Sequence, residues 1–129
     1  MKKVLIVSAN YYKDVERGLL YSASNTLKKK YKLKFLVVPG VFEIPFVISK
    51  NIKKFDGFVA LGCVIKGQTP HFEFISNAVT QGIMNLSIVS KKPIGNGILT
   101  CLNKKQAIHR MKKGKEAAKA IDYILTKLI

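Results

Sequence analysis

The densest chemistry in the chain lies in one short segment, Gly62-Cys63-Val64-Ile65-Lys66-Gly67-Gln68-Thr69-Pro70-His71. It joins two glycines, a lysine, a hydroxyl and a histidine, just before an amphipathic stretch. Backbone N–H groups at a helix start, with a threonine and a cation nearby, make a ready anion site. The order GxxxxGK[ST] is absent, so this is not a P-loop. His71, with an ordinary pKa near neutrality, could shuttle protons; the alternative is a helix-start residue that bonds locally. Cys63 could be a nucleophile, although a small residue packed in a buried strand is the simpler account.

A second segment is Pro39-Gly40-Val41-Phe42-Glu43-Ile44-Pro45. Gly40 could take a conformation closed to other residues or let a ligand approach closely. Pro45 suits the first turn of a helix, and Glu43 near that end is favoured by the helix dipole, as a cap or as a ligand. Phe42 is either core or an aromatic wall for a planar ligand. Tyr11-Tyr12 offers another stacking surface or packs over a sheet edge. Arg110, one of two arginines, could form a forked contact to phosphate or carboxylate, or a helix-surface ion pair. His109, in a basic stretch, reads as a surface residue.

The elements that must position these residues alternate. Apolar, β-branched runs at Val4–Val7, Phe35–Val38, Phe58–Val64 and Ile94–Leu99 read as strands covered on both faces. Between them, Leu19, Leu20, Ala23 and Leu27 share a helical face. So do Ile44, Val47, Ile48 and Ile52, then Ile75, Val79, Ile83 and Leu86, and finally Ala117, Ile121, Ile124, Leu125 and Leu128. Strand–helix alternation with short connections predicts an α/β fold, a three-layer αβα sandwich around a parallel sheet. Ligands then bind beyond the carboxyl ends of the strands, at Ala9–Tyr12, Pro39–Glu43 and Cys63–His71.

With 129 residues, 48 % hydrophobic and 23 % charged, the chain suits one globular domain spanning 1–129. No apolar run approaches the roughly 20 residues of a membrane span. Met1-Lys2-Lys3 before Val4 lacks a convincing cleavage site, so it reads as the approach to a first strand. Cys63 and Cys101 form no CxxC pair and no ligand cluster, which points to a reduced, metal-free, cytoplasmic protein. The formal charge is +16, and of 23 basic residues all but Arg17 and Arg110 are lysine. Scattered lysine suits a solvated surface; the sharper alternative is a field attracting phosphorylated metabolites or RNA. The scarcity of arginine argues against nucleic acid as partner.

Four stretches together resemble the lumazine synthase family: Val38–Pro45, Ala60–Glu73, Pro93–Thr100, and Gln106-Ala107 with Arg110 and Lys113-Gly114. The resemblance covers nearly the whole chain and implies a flavodoxin-like fold with a four-stranded parallel sheet. It implies a transferase that needs no cofactor and no metal. The reaction condenses 5-amino-6-(D-ribitylamino)uracil with 3,4-dihydroxy-2-butanone 4-phosphate to 6,7-dimethyl-8-ribityllumazine, the penultimate step of riboflavin biosynthesis. By the same resemblance, Tyr11 stacks on the pyrimidine, and Phe42 and Glu43 hold the ring and ribityl chain beside Val41, Cys63, Val64 and Ile65. Gln68, Thr69 and Arg110 bind phosphate, and His71 assists proton transfers. Lys113 and Asn96 belong to positions that approach the site of a neighbouring subunit. A homo-oligomer with sites between subunits is therefore expected, and the little chain before the first strand tilts it toward a pentamer.

The sequence departs from the family in places. An arginine before the first aromatic is replaced by Asn10, the loop arginine by Lys66, and a common phenylalanine by Asn96; the span from Arg110 to Lys113 is short. Two other functions stay open. A flavin- or nucleotide-carrying module would explain the fold and the rim aromatics but not His71, Thr69 and Arg110 together. An RNA-binding domain driven by lysine would leave the glycine and proline motifs unexplained.

Overall fold

A computed structural model describes all residues, Met1–Ile129. The chain alternates strand and helix: β1 (Lys3–Ala9), α1 (Lys13–Leu27), β2 (Lys32–Val38), a 3-10 turn (Val41–Glu43), α2 (Ile44–Lys50) and β3 (Gly57–Ile65). Then follow α3 (His71–Ser90), β4 (Ile94–Cys101), α4 (Lys104–His109), α5 (Lys113–Tyr123) and a terminal π turn (Ile124–Leu128). The four strands form one parallel sheet in the order β2-β1-β3-β4. Helices cover both faces, giving the expected three-layer, flavodoxin-like α/β sandwich.

The alternation of side chains along β1 divides the core in two. Val4 and Ile6 pack with Leu19 and Ala23 of α1 and Ala118 and Ile121 of α5. Leu5 and Val7 point the other way, onto Ile44 and Ile48 of α2 and Val79 and Ile83 of α3. β3 does the same, with Val59 and Leu61 on the first face and Phe58 and Ala60 on the second. Each fully buried Val, Leu or Ile among them contributes about 1.5–3 kcal/mol. This double burial is why the two central strands read as unbroken apolar runs.

β2 departs from that expectation. Phe35 and Val37 remain exposed, because β2 is an edge strand paired only with β1 and the α1–α5 layer leaves their face uncovered. β4, the other edge, alternates: Gly97, Leu99 and Cys101 turn inward while Asn96 and Thr100 face out. Gly95 is where α5 comes closest, since a Cβ there would run into the Ala117 carbonyl. The last apolar stripe is cut short as well. Ala117, Ile121 and Leu125 are buried, but Leu128 is exposed where the helix widens into its π turn.

Side-chain bonds fasten the layers. Tyr31 at the start of β2 donates its hydroxyl to Asp122 of α5 at 2.6 Å, and Lys30 pairs with the same carboxylate at 3.0 Å. The Tyr31 hydroxyl is pushed up to about 12, first by burial and then by that carboxylate, whose own pKa is lowered by the bond. No helix is long and apolar enough to cross a membrane.

Candidate active site

The candidate residues gather at the carboxyl end of the sheet, where β1 and β3 lie side by side and their connections leave in opposite directions. β1 ends at Ala9, and the Asn10 N–H still reaches the Val38 carbonyl at 3.0 Å. Tyr11 and Tyr12 then turn over the sheet end with ring centroids 4.9 Å apart, edge to face. Tyr12 packs onto the core, while Tyr11 is 72 % exposed, so of the pair Tyr11 presents the free stacking surface. Lys104 stands 5.5 Å from the Tyr12 ring centroid and 3.2 Å from Asp14, whose carboxyl it holds below the usual range.

After β2, Gly40 leads into the 3-10 turn. Its backbone is extended, with φ −147°, so no left-handed conformation explains the glycine. A Cβ there would meet only a Glu43 carboxylate oxygen, at 3.1 Å. Val41 is buried and Phe42 is 60 % exposed, which decides the Phe42 alternatives in favour of an exposed aromatic surface over a core residue. Glu43 sits at the cap position of α2 but makes no side-chain cap bond, and Pro45 occupies the first turn as expected. The turn reaches β3 through Gly62, where a Cβ would stand 2.5 Å from Val41.

β3 delivers Cys63, buried, then Val64 and Ile65, half-buried, to the same end. Lys66 through Pro70 are exposed, and Gly67 has open space around it. His71 opens α3, and its backbone N–H donates to Thr69 Oγ1 at 3.4 Å. The imidazole itself is exposed and makes no side-chain hydrogen bond, so the local-bonding alternative holds for its backbone alone.

These pieces enclose a depression of about 340 Å³. Tyr11 and Tyr12, the turn Gly40–Phe42, the strand end Cys63–Ile65, and His71 with Ile75 line it. Glu43, Gln68 and Thr69 do not line it. A second depression of about 500 Å³ runs along β4 and the α4–α5 turn. Asn96, His109, Arg110 and Lys113 line it, and the two share no residue. Arg110 is not on a helix: it caps the end of α4, in the turn before α5, exposed and without an ion pair. Its helix-surface ion pair is thus absent.

Three features escaped the sequence. Ile75 joins the lining of the first depression. Thr80 and Thr100 line the second. Asn103 and Gln106 cap α4 reciprocally: the Asn103 side chain accepts the Gln106 N–H at 2.9 Å, and the Gln106 side chain accepts the Leu102 N–H at 2.8 Å. The Asn-x-x-Gln spacing was the available signal.

A family model described as 6,7-dimethyl-8-ribityllumazine synthase matches residues 1–128. The chain belongs to this family. Among its relatives, the 6,7-dimethyl-8-ribityllumazine synthase of Bartonella henselae is 46 % identical over 115 residues, covering 85 % of this chain and 74 % of the relative. That of Cutibacterium acnes is 39 % identical over 135 residues, covering 98 % of this chain and 81 % of its own. That of Afipia carboxidovorans is 40 % identical over 131 residues, covering 92 % and 80 %.

Within this lumazine synthase fold the chemistry of the first depression is narrow. The Cys63 thiol is pushed up to about 12, chiefly by burial and secondarily by neighbouring Cys101, so it stays protonated and is a poor nucleophile. What remains at the rim is an imidazole, two phenols and apolar walls. Such a set can orient a planar ring and move protons. It holds no anion by itself, and the free guanidinium stands in the other depression.

Proposed function

We propose that this member of the family catalyses the family's reaction: it joins 5-amino-6-(D-ribitylamino)uracil to 3,4-dihydroxy-2-butanone 4-phosphate, forming 6,7-dimethyl-8-ribityllumazine with loss of phosphate and water. The observation that carries this reading is the pair of exposed aromatic faces, Tyr11 and Phe42, set around a free His71 imidazole at the carboxyl end of the sheet. Tyr11 and Phe42 hold the flat pyrimidine, and Val41, Cys63, Val64 and Ile65 give it an apolar floor. Glu43, next to Phe42 in the chain, is the residue we assign to the ribityl hydroxyls.

The amine attacks the ketone carbonyl, and water leaves as the imine forms. Elimination of phosphate leaves an enol that returns to a second carbonyl, the ribityl-bearing nitrogen attacks that carbonyl, and a second water leaves as the ring closes. His71 is the group at hand to carry protons between these steps. Bringing two substrates together in one orientation supplies much of the acceleration. The departing phosphate needs cations and N–H donors, and Gln68, Thr69 and Arg110 are the residues we assign to it.

This assignment requires a second subunit, because Arg110, Asn96 and Lys113 line a different depression from His71. We infer a homo-oligomer, built on a pentamer, in which the β4 edge of one subunit closes the pyrimidine site of the next. Unpartnered apolar side chains support it: Phe46 on α2 and Phe74, Met84, Ile88 and Val89 on α3 are all exposed. Large contiguous apolar faces are the mark of protein–protein contact. We further place the enzyme in the cytoplasm, acting on its two small-molecule substrates.

The test is turnover with both purified substrates and no added cofactor, followed by the absorbance and fluorescence of the product. Product formation by an oligomeric sample supports the reaction. A folded, oligomeric sample that makes none would overturn it in favour of a carrier role.

A further inference from the structure

At the opposite end of the sheet lies a depression of about 600 Å³ for which the proposed reaction has no use. Its lining is five lysines, Lys3, Lys32, Lys34, Lys53 and Lys54, with Leu33 and Phe55. They arrive from three separate segments: the start of β1, the start of β2, and the turn between α2 and β3. Lys3 and Lys32 are direct partners in the parallel register, and Lys34 lies two residues further on the same face. Like charges set opposite one another across a strand pair are destabilising.

Little in the chain relieves that crowding. The chain has two ion pairs, Lys30 with Asp122 and Lys104 with Asp14, and neither involves these five. No acidic residue lines the bowl. The nearest along the chain, Asp56, accepts the Lys3 backbone N–H at 2.8 Å, and its single charge offsets one of the five. Lysines on an edge strand do discourage edge-to-edge pairing, which accounts for Lys32 and Lys34. It does not account for Lys3, Lys53 and Lys54, which come from elsewhere and complete the ring.

We propose that this bowl binds a small anion carrying a run of phosphates, such as a triphosphate chain. A single phosphate carries at most about two charges and leaves most of the ring uncompensated. A chain of phosphates places an acceptor near each ammonium. The convergence of five lysines from three segments on one depression favours it over an extended polymer, which would ask for a stripe of lysines along the surface. Leu33 and Phe55 provide the apolar part of the bowl, where a base attached to the chain would find contact.

Calorimetric titration of the intact oligomer with inorganic tripolyphosphate at roughly 0.15 M salt tests this, since diffuse surface attraction is largely screened there. Charge-assisted bonds to three lysines predict that the combined variant Lys32→Gln, Lys53→Gln, Lys54→Gln weakens binding about tenfold or more. A control removing equal charge outside the bowl, Lys105→Gln, Lys115→Gln, Lys119→Gln, should change it less than about twofold, and so should Arg110→Ala. Product formation by the bowl variant should match the parent. Titration with ATP in parallel assigns the source: tighter binding that Phe55→Ala removes indicates a nucleotide, and equal binding the phosphate chain alone. Absence of binding at that salt, equal weakening by the control, or loss through Arg110→Ala would each overturn the proposal.

Discussion

Val41 and Gly62 occupy one space: a Cβ on Gly62 would stand 2.5 Å from Val41 Cγ1 and 3.2 Å from the Ala9 side chain. The missing side chain in β3 is what lets the 3-10 turn settle against the sheet and hold Phe42 outward. Gly62→Ala should push that turn away, costing about 1–3 kcal/mol of stability as overpacking does. It should also raise the Michaelis constant for the pyrimidine, whose ring Phe42 is proposed to face. Denaturant unfolding and steady-state kinetics measure both; a stable variant with parental kinetics would remove the constraint.

Phe42→Ala separates wall from scaffold. The ring is mostly exposed, so stability should change by less than about 0.5 kcal/mol, while affinity for the pyrimidine falls by about tenfold, the worth of one good aromatic contact. Equal affinity in variant and parent would show that the ring does not hold the substrate.

Arg110→Ala should raise the Michaelis constant for the phosphorylated substrate far more than for the pyrimidine. His71→Ala should slow turnover by about 10²-fold, with both Michaelis constants little changed, because water can substitute in part for the imidazole. Their mixture carries a sharper prediction. If each site takes His71 from one subunit and Arg110 from the next, co-assembly of the two variants rebuilds about a quarter of the sites intact. Activity of co-expressed and separately purified samples can be compared directly, and a mixture no better than its components would place both residues within one subunit.

Alkaline stability should report on Cys63. Its pKa rises from about 8.5 in an unfolded chain to about 12 in the fold. The folded form therefore holds its proton more tightly, and this contribution, complete below about pH 8.5, is lost as pH climbs toward the folded value. Unfolding free energy should fall across that window, and Cys63→Ser should flatten the fall. An unaltered alkaline slope would mean that the thiol is not the group responsible. Tyr31, also raised to about 12, supplies the slope that remains.

Much of this arrangement was legible before any coordinates. The central strands announced themselves because Val4–Val7 and Phe58–Val64 are apolar on both faces, and Pro45 marked the start of α2. The rim residues followed from the rule that loops at strand carboxyl ends carry ligands. What periodicity could not reveal was lateral position. Phe35 and Val37 resemble core residues in sequence and lie exposed because β2 is an edge. Nor could spacing say that Arg110 and His71 line different depressions, since the distance between two loops is set by sheet order and not by chain order. For Gly40 only one of two readings survives: its backbone is ordinary, and it lines the depression, where a missing side chain leaves room for close approach.

The sheet order carries a consequence for the birth of the molecule. β1 is made first and ends in the middle, flanked by β2 and β3. During synthesis its first flank is covered once the chain reaches Val38, but its second stays bare until β3, ending at Ile65, has emerged. Half the chain must therefore leave the ribosome with one edge of a largely apolar strand still open, in the parallel arrangement that forms slowly because its partners are distant in sequence. This is the stage at which nascent chains are most prone to stick to one another. The abundant lysines flanking β1 and β2 then acquire a use before folding is complete: mutual repulsion keeps growing chains apart.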